Sequence, residues 1–167
     1  LFHTLSADAA LDQKLMAAFA RARLRHRRTL LPAHPIICDP GPALAHERLT
    51  KDRAELVSLR KAAALTANGH MEAMRVTRPG MFEYEAQAAL EATFRSGGSP
   101  RNGYQSIVAS GPNACVLHYH ENSRRMRSGD LLLIDAGAEY FGYAGDITRT
   151  FPVSGTFTQP QREIYQL

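Results

Sequence analysis

The sequence predicts a mixed α/β chain of the α+β kind, and three observations carry that expectation. Two helical stripes succeed one another over residues 52–94, short β-branched and aromatic runs follow Gly103, and a Pro-rich stretch separates both from an N-terminal segment. In that first segment Leu1–Leu5 reads as extended. A helix is expected from about Asp8 to Arg28, because Leu11, Leu15, Met16 and Phe19 recur at the spacing of one buried face. A short apolar run, Ile36–Cys38, follows. Pro32, Pro35, Pro40 and Pro42 fall inside eleven residues and end regular structure nearby. Residues 39–51 therefore read as a linker. A strand, a helix and a strand within 1–38 are too little for a domain, so this stretch reads as the C-terminal part of one.

The second segment opens with Asp52 and, three residues on, Glu55, a pair able to cap a helix start reciprocally. Leu56, Leu59, Ala63, Leu65, Thr66, His70 and Met74 continue a helical stripe to about Val76, with Gly69 its weak point. Arg78-Pro79-Gly80 breaks it. A second helix is expected from Phe82 to Phe94, stopped by Gly97-Gly98. Strands are then expected over Tyr104–Ala109, Cys115–Tyr119, Leu131–Ala138 and Tyr143–Val153, as an antiparallel sheet. Thr158 and Gln161 form another capping pair, and a helix starts near Gln159 with Pro160 tolerated in its first turn.

Composition excludes several classes. The chain has 167 residues, 44% of them apolar and 22% charged, as in ordinary globular proteins. Apolar runs such as Leu131–Ile134 fall far short of the roughly 20 residues of a membrane span. Cys38 and Cys115 read as reduced thiols and no charged-then-apolar leader is visible, so a cytoplasmic protein is expected. The net charge of +4 is uneven: residues 1–51 hold eight Lys/Arg against four Asp/Glu, and residues 52–167 hold twelve of each. Its focus, Arg21, Arg23, Arg25, Arg27 and Arg28 with His26, reads as a solvated helix end complementing the helix dipole. Without interleaved aromatic residues it makes no nucleic-acid surface.

The chemistry concentrates in the run from Asp130 to Phe151. A hairpin with its two-residue loop at Tyr140-Phe141 would pair Glu139 with Gly142 and set Asp135 opposite Asp146, with Cβ atoms about 4.5–5.5 Å apart. Two carboxylates in an apolar neighbourhood need a counter-charge. A divalent cation, or a pair of cations about 3.5–4 Å apart, would supply it. The other reading is an emerging strand with solvated carboxylates near Arg149 or Arg124, and a bulge at Gly137 or Gly145 would change the register. Spacing leaves both open. His118 falls in the expected strand Cys115–Tyr119, with His120 on the same face. Such an imidazole can bind metal, shuttle protons or stabilise an oxyanion, or can simply pack. Cys115 reads as inert. Tyr104, Tyr119, Tyr140 and Tyr143 read as cross-strand packing, without a role.

Four strings closely resemble bacterial Xaa-Pro aminopeptidase, also called aminopeptidase P. They are Arg78-Pro79-Gly80-Met81-Phe82-Glu83-Tyr84, the stretch Ile107–Tyr119 containing Leu117-His118-Tyr119, the run Asp130–Pro152, and Phe157–Tyr165. The resemblance covers 52–167 in order, and 1–51 is similar to the end of the family's N-terminal domain and its linker. It implies a pita-bread fold, shared with prolidase, methionine aminopeptidase and creatinase, of which 52–167 would be the first half of the catalytic domain. The preceding residues would close a creatinase-like N-terminal α/β domain.

The same resemblance implies two divalent metal ions, usually manganese, and peptide substrates with proline at the second position. The aspartates of Asp-Ala-Gly and Gly-Asp-Ile-Thr-Arg, here Asp135 and Asp146, would be metal ligands. His118 would contact substrate and help stabilise the tetrahedral intermediate formed when a metal-activated water attacks the bond before proline. His120 is left without a role. The family's other ligands, one histidine and two glutamates, lie beyond Leu167, so this chain reads as a central fragment that is inactive alone. Alternatives are a prolidase, cleaving Xaa-Pro dipeptides, and a non-catalytic pita-bread binding module. A homo-oligomer is compatible with either.

Overall fold

The computed structural model describes residues 3–26 and 37–167, which fall into two units, Leu1–Lys51 and Asp52–Leu167. In the first, α1 (Ala9–His26) starts at Asp8, whose Oδ1 accepts from the backbone N–H groups of Ala10 at 2.9 Å and Leu11 at 3.0 Å. Leu15 and Phe19 are half-buried, but Leu11 and Met16 of the same expected face are exposed, and no described side chain of this unit is buried. The expected face is therefore only partly covered. Regular structure is not expected within residues 39–51, yet α2 (Gly41–Leu49) forms there. Pro42 lies in its first turn, where a missing N–H breaks no helical bond, and the Asp39 carboxylate accepts from Gly41 N–H at 2.9 Å. Arg27, Arg28, Pro32, Pro35 and Ile36 lie outside the described residues.

The second unit packs two helices against one face of a small antiparallel sheet. Its elements are α3 (Arg53–Val76), α4 (Glu83–Ser96), β1 (Ile107–Ser110), a 3-10 helix (Gly111–Cys115), β2 (Leu131–Ala136), β3 (Glu139–Tyr140), β4 (Tyr143–Ala144), β5 (Ile147–Pro152) and α5 (Gln159–Tyr165). The sheet order is β1-β2-β5, with β3 and β4 forming a separate hairpin. Both expected capping pairs form: Asp52 Oδ1 accepts from Glu55 N–H at 2.8 Å, and Gln161 Oε1 accepts from Thr158 N–H at 2.9 Å.

Strand alternation decides what faces the core. Leu132, Ile134 and Ala136 of β2 are buried with Val108 against Leu65 and Ala73 of α3 and Ala86, Leu90 and Phe94 of α4. Leu131, Leu133 and Asp135 therefore share the opposite face. Gly69, expected as a weak point of α3, is where the Phe94 ring enters the helix surface; a Cβ there would overlap it. Phe94 is fully buried. Phe94→Ala is expected to cost about 3–5 kcal/mol, because cavity and lost transfer energy add. Urea unfolding followed by circular dichroism measures it.

One expected strand is absent. Cys115–Tyr119 continues from the 3-10 helix into a turn. Pro112 has no N–H to give a ladder, and Gly111 at φ +52° and His118 at φ +53° turn the backbone into the left-handed region, where a strand cannot continue. The expected Tyr104–Ala109 strand is confined to Ile107–Ser110.

Candidate active site

The register of the Asp130–Phe151 run differs from the expected hairpin. Tyr140 pairs with Tyr143 and Glu139 with Ala144, so the loop is Phe141-Gly142, one residue later than expected. Both loop residues have positive φ, +49° and +81°, the requirement of a type I′ turn. Glu139 Oε1 accepts from Gly142 N–H at 2.8 Å and its carboxylate pairs with Arg101, which together hold it below the usual carboxylate range.

Farther along, Asp135 faces Thr148 rather than Asp146. Asp146 lies two residues from that partner, a diagonal position on the same face. A shift of two preserves the face; a shift of one would have sent the carboxylates to opposite sides. Asp135 is half-buried and Asp146 exposed, nearer the emerging-strand alternative than a fully buried pair. The strands kink between the two carboxylates. A Cβ on Gly137 would overlap the Gly145 carbonyl oxygen, and one on Gly145 would lie 2.5 Å from Thr66 Oγ1 and 2.7 Å from the Ala62 carbonyl oxygen. Thr66 Oγ1 in turn accepts from Ala138 N–H at 2.9 Å, fastening the kink to α3.

Residues 101–103 run beside this kink. Gly103 N–H donates to Gly137 O at 2.8 Å and Glu139 N–H to Arg101 O at 3.1 Å. Tyr104 is thereby delivered to both carboxylates: its hydroxyl lies 2.6 Å from Asp135 Oδ1 and 2.9 Å from Asp146 Oδ1. Burial raises the Tyr104 pKa well above the usual phenol range, and the hydrogen bonds to both aspartates raise it further, so it stays a donor. The sequence by itself gives Tyr104 no role beyond packing. Its only cue was a tyrosine directly after a glycine; the contact itself spans 31 and 42 residues of chain.

A cleft of about 400 Å³ joins Tyr104, Asp135 and Asp146 to Gln105, Ile107, His118 and His120. His118 reaches it from the left-handed turn, not from a strand. The two imidazoles stack with ring centroids 6.4 Å apart and planes 13° off parallel. His120, expected only to share a strand face with His118, thus shares the cleft. Cys115 is exposed and unpaired in a disulfide, as is Cys38.

One phenolic proton cannot satisfy two carboxylates at once. Asp135 and Asp146 each place an oxygen within 2.9 Å of the same atom, with no Lys or Arg among the described residues that line the cleft. Paired carboxylate oxygens suit hard divalent cations such as magnesium, calcium or manganese, so the residues present fit a metal. Among the described residues no group of three or more His, Cys, Asp and Glu is placed to hold one.

The sequence profile described as Metallopeptidase family M24 matches residues 57–167. The chain belongs to this family. Among curated relatives of this M24 chain, Xaa-Pro aminopeptidase of Escherichia coli K12 is 46% identical over 167 residues, all of this chain and 38% of the relative. Xaa-Pro aminopeptidase of Haemophilus influenzae is 52% identical over 131 residues, 78% of this chain and 30% of the relative. Zinc-substituted Escherichia coli aminopeptidase P in complex with product superposes with a TM-score of 0.89 at 46% identity, over 99% of this chain and 37% of that one. Proline aminopeptidase P II from Yersinia pestis gives 0.88 at 44% identity, over 99% and 38%. The M24 chain has the helix-and-sheet arrangement of the aminopeptidase P, or pita-bread, fold and spans well under half the length of these relatives. No helix among the described residues is long and apolar enough to cross a membrane.

Proposed function

We propose that this chain is the central part of a longer, cytoplasmic, metal-dependent Xaa-Pro aminopeptidase. In this reading 1–38 ends the N-terminal domain, 39–51 connects the domains through α2, and 52–167 is the first half of the catalytic domain. The observation that carries the reading is the Tyr104 hydroxyl shared between Asp135 and Asp146 in a cleft that also receives His118.

Asp135 and Asp146 would hold two divalent cations, manganese, together with ligands from outside this chain. When bound, the cations supply Lewis-acid activation of water and of the carbonyl before proline. Tyr104 keeps the aspartates at one spacing by donating its proton between them, the supporting role that ligating carboxylates require. His118, exposed at the cleft, would donate to the developing oxyanion of a peptide whose second residue is proline.

Hydrolysis of a tripeptide Xaa-Pro-Xaa and a dipeptide Xaa-Pro by the complete protein tests this, after chelation and after readdition of manganese. Cleavage of the tripeptide only with metal is expected. Activity that survives chelation, or a preference for the dipeptide, overturns the reading.

A further inference from the structure

Glu83 is the first residue of α4 and has no exposed surface. A carboxylate in such a place needs a donor for each lone pair or it costs several kcal/mol. Glu83 has five. Oε1 accepts from Ser110 N–H at 2.7 Å, Ser110 Oγ at 2.7 Å and Asn113 Nδ2 at 3.2 Å. Oε2 accepts from the Tyr119 hydroxyl at 2.8 Å and Arg124 N–H at 2.9 Å. Helix capping explains none of these bonds, since all five donors belong to the stretch from β1 to Arg124. That stretch carries His118.

The geometry constrains His118 closely. Its backbone is left-handed, at φ +53°, a conformation that costs a non-glycine residue about 1–2 kcal/mol. The residue before it, Leu117, is 86% exposed and anchors nothing. The residue after it, Tyr119, is buried and ends on Glu83. Asn122, with Oδ1 accepting from Val108 N–H at 2.9 Å, pins the far end of the loop independently.

We propose that Glu83 is a positioning residue for His118, acting through the Tyr119 hydroxyl to set where the imidazole meets substrate in the cleft. This rests on the reading of His118 as a substrate-contacting group of an Xaa-Pro aminopeptidase. Glutamine cannot substitute for Glu83. Backbone N–H groups point at both oxygens, so either orientation of an amide sets its NH2 against a donor. Tyr119→Phe is the gentler variant, deleting one hydroxyl while Asn122 and four of the Glu83 bonds remain.

The test is a double-mutant cycle in the complete protein. Tyr119→Phe and Glu83→Gln are each combined with His118→Ala, and kcat, KM and bound metal are measured on a Xaa-Pro-Xaa tripeptide, with circular dichroism as the check of folding. Each single variant is expected to lower kcat about 10–100-fold, the cost of a misplaced catalytic contact, with KM and metal content little changed. In the His118→Ala background the same changes are expected to have no further effect. Equal losses in both backgrounds, or loss of metal, overturn the proposal and leave the reading of His118 standing. Full activity of His118→Ala overturns both. Should Glu83→Gln fail to fold, the Tyr119→Phe arm decides alone.

Discussion

Asp135→Asn in the complete protein is expected to abolish metal-dependent cleavage, with a loss of at least about 1,000-fold in kcat/KM. Metal ions supply several kcal/mol of charge stabilisation in such reactions, and each 1.36 kcal/mol is a factor of about ten in rate. The substitution is nearly isosteric, so the strand should survive it. Asp135 is half-buried on the face of β2 away from the helices, and its backbone pairs with Ile107 and Thr148 whatever the side chain. What changes is the charge and the acceptor set. An amide is a poor ligand for a hard cation, and it can turn its NH2 toward the Tyr104 hydroxyl. Tyr104→Phe should act in the same direction but less, about 10–100-fold, as expected for a group that orients a ligand. Metal titration by calorimetry and peptide hydrolysis measure both. Unchanged metal content and activity in Asp135→Asn would remove it from the ligand set.

Gly137→Ala should be the most damaging single-methyl substitution in the second unit. The added carbon would overlap the Gly145 carbonyl oxygen and approach the Tyr104 ring at 2.9 Å. The first of these neighbours is backbone, fastened through Thr66 to α3, so it cannot swing aside as a side chain would. Overpacking costs typically 1–3 kcal/mol, and with a fixed neighbour about 3 kcal/mol or more is expected in urea unfolding. The same displacement should separate Asp135 from Asp146 and weaken metal binding. Gly98→Ala is the control: nothing lies within 4 Å, and φ at +99° leaves only backbone strain. It should destabilise by about 1–2 kcal/mol and leave metal affinity unchanged. Equal effects of the two substitutions on metal binding would show that the kink does not set the carboxylate spacing.

The fold and the candidate site are unequally legible in the sequence. Helices α3 and α4 were legible almost to the residue, because capping pairs and glycine stops are local signals that act over three or four positions. The β2–β5 face was legible for a related reason. Alternation along a strand survives an even register shift, so Asp135 and Asp146 share a face although the loop falls one residue later than the sequence predicts. The departures have separate causes. The expected strand at Cys115–Tyr119 satisfied the residue preferences of a strand, but the left-handed backbone at His118 breaks it. The α1 stripe kept its periodicity, yet Leu11 and Met16 stay exposed. The expected linker held a helix because proline interrupts a helix only beyond its first turn.

By itself, then, the sequence determined the helix pair, the shared face of Asp135 and Asp146, and the strings that resemble the aminopeptidase P family, all properties of residues close together in the chain. Tertiary structure alone decided that Tyr104 lies between the aspartates, that His118 and His120 share their cleft, and that Glu83 holds the loop carrying His118. The hydrogen bonds among these join residues 31, 42 and 36 positions apart. Periodicity and capping carry no information over that range; it is set by which faces pack and by where two glycines let the strands approach.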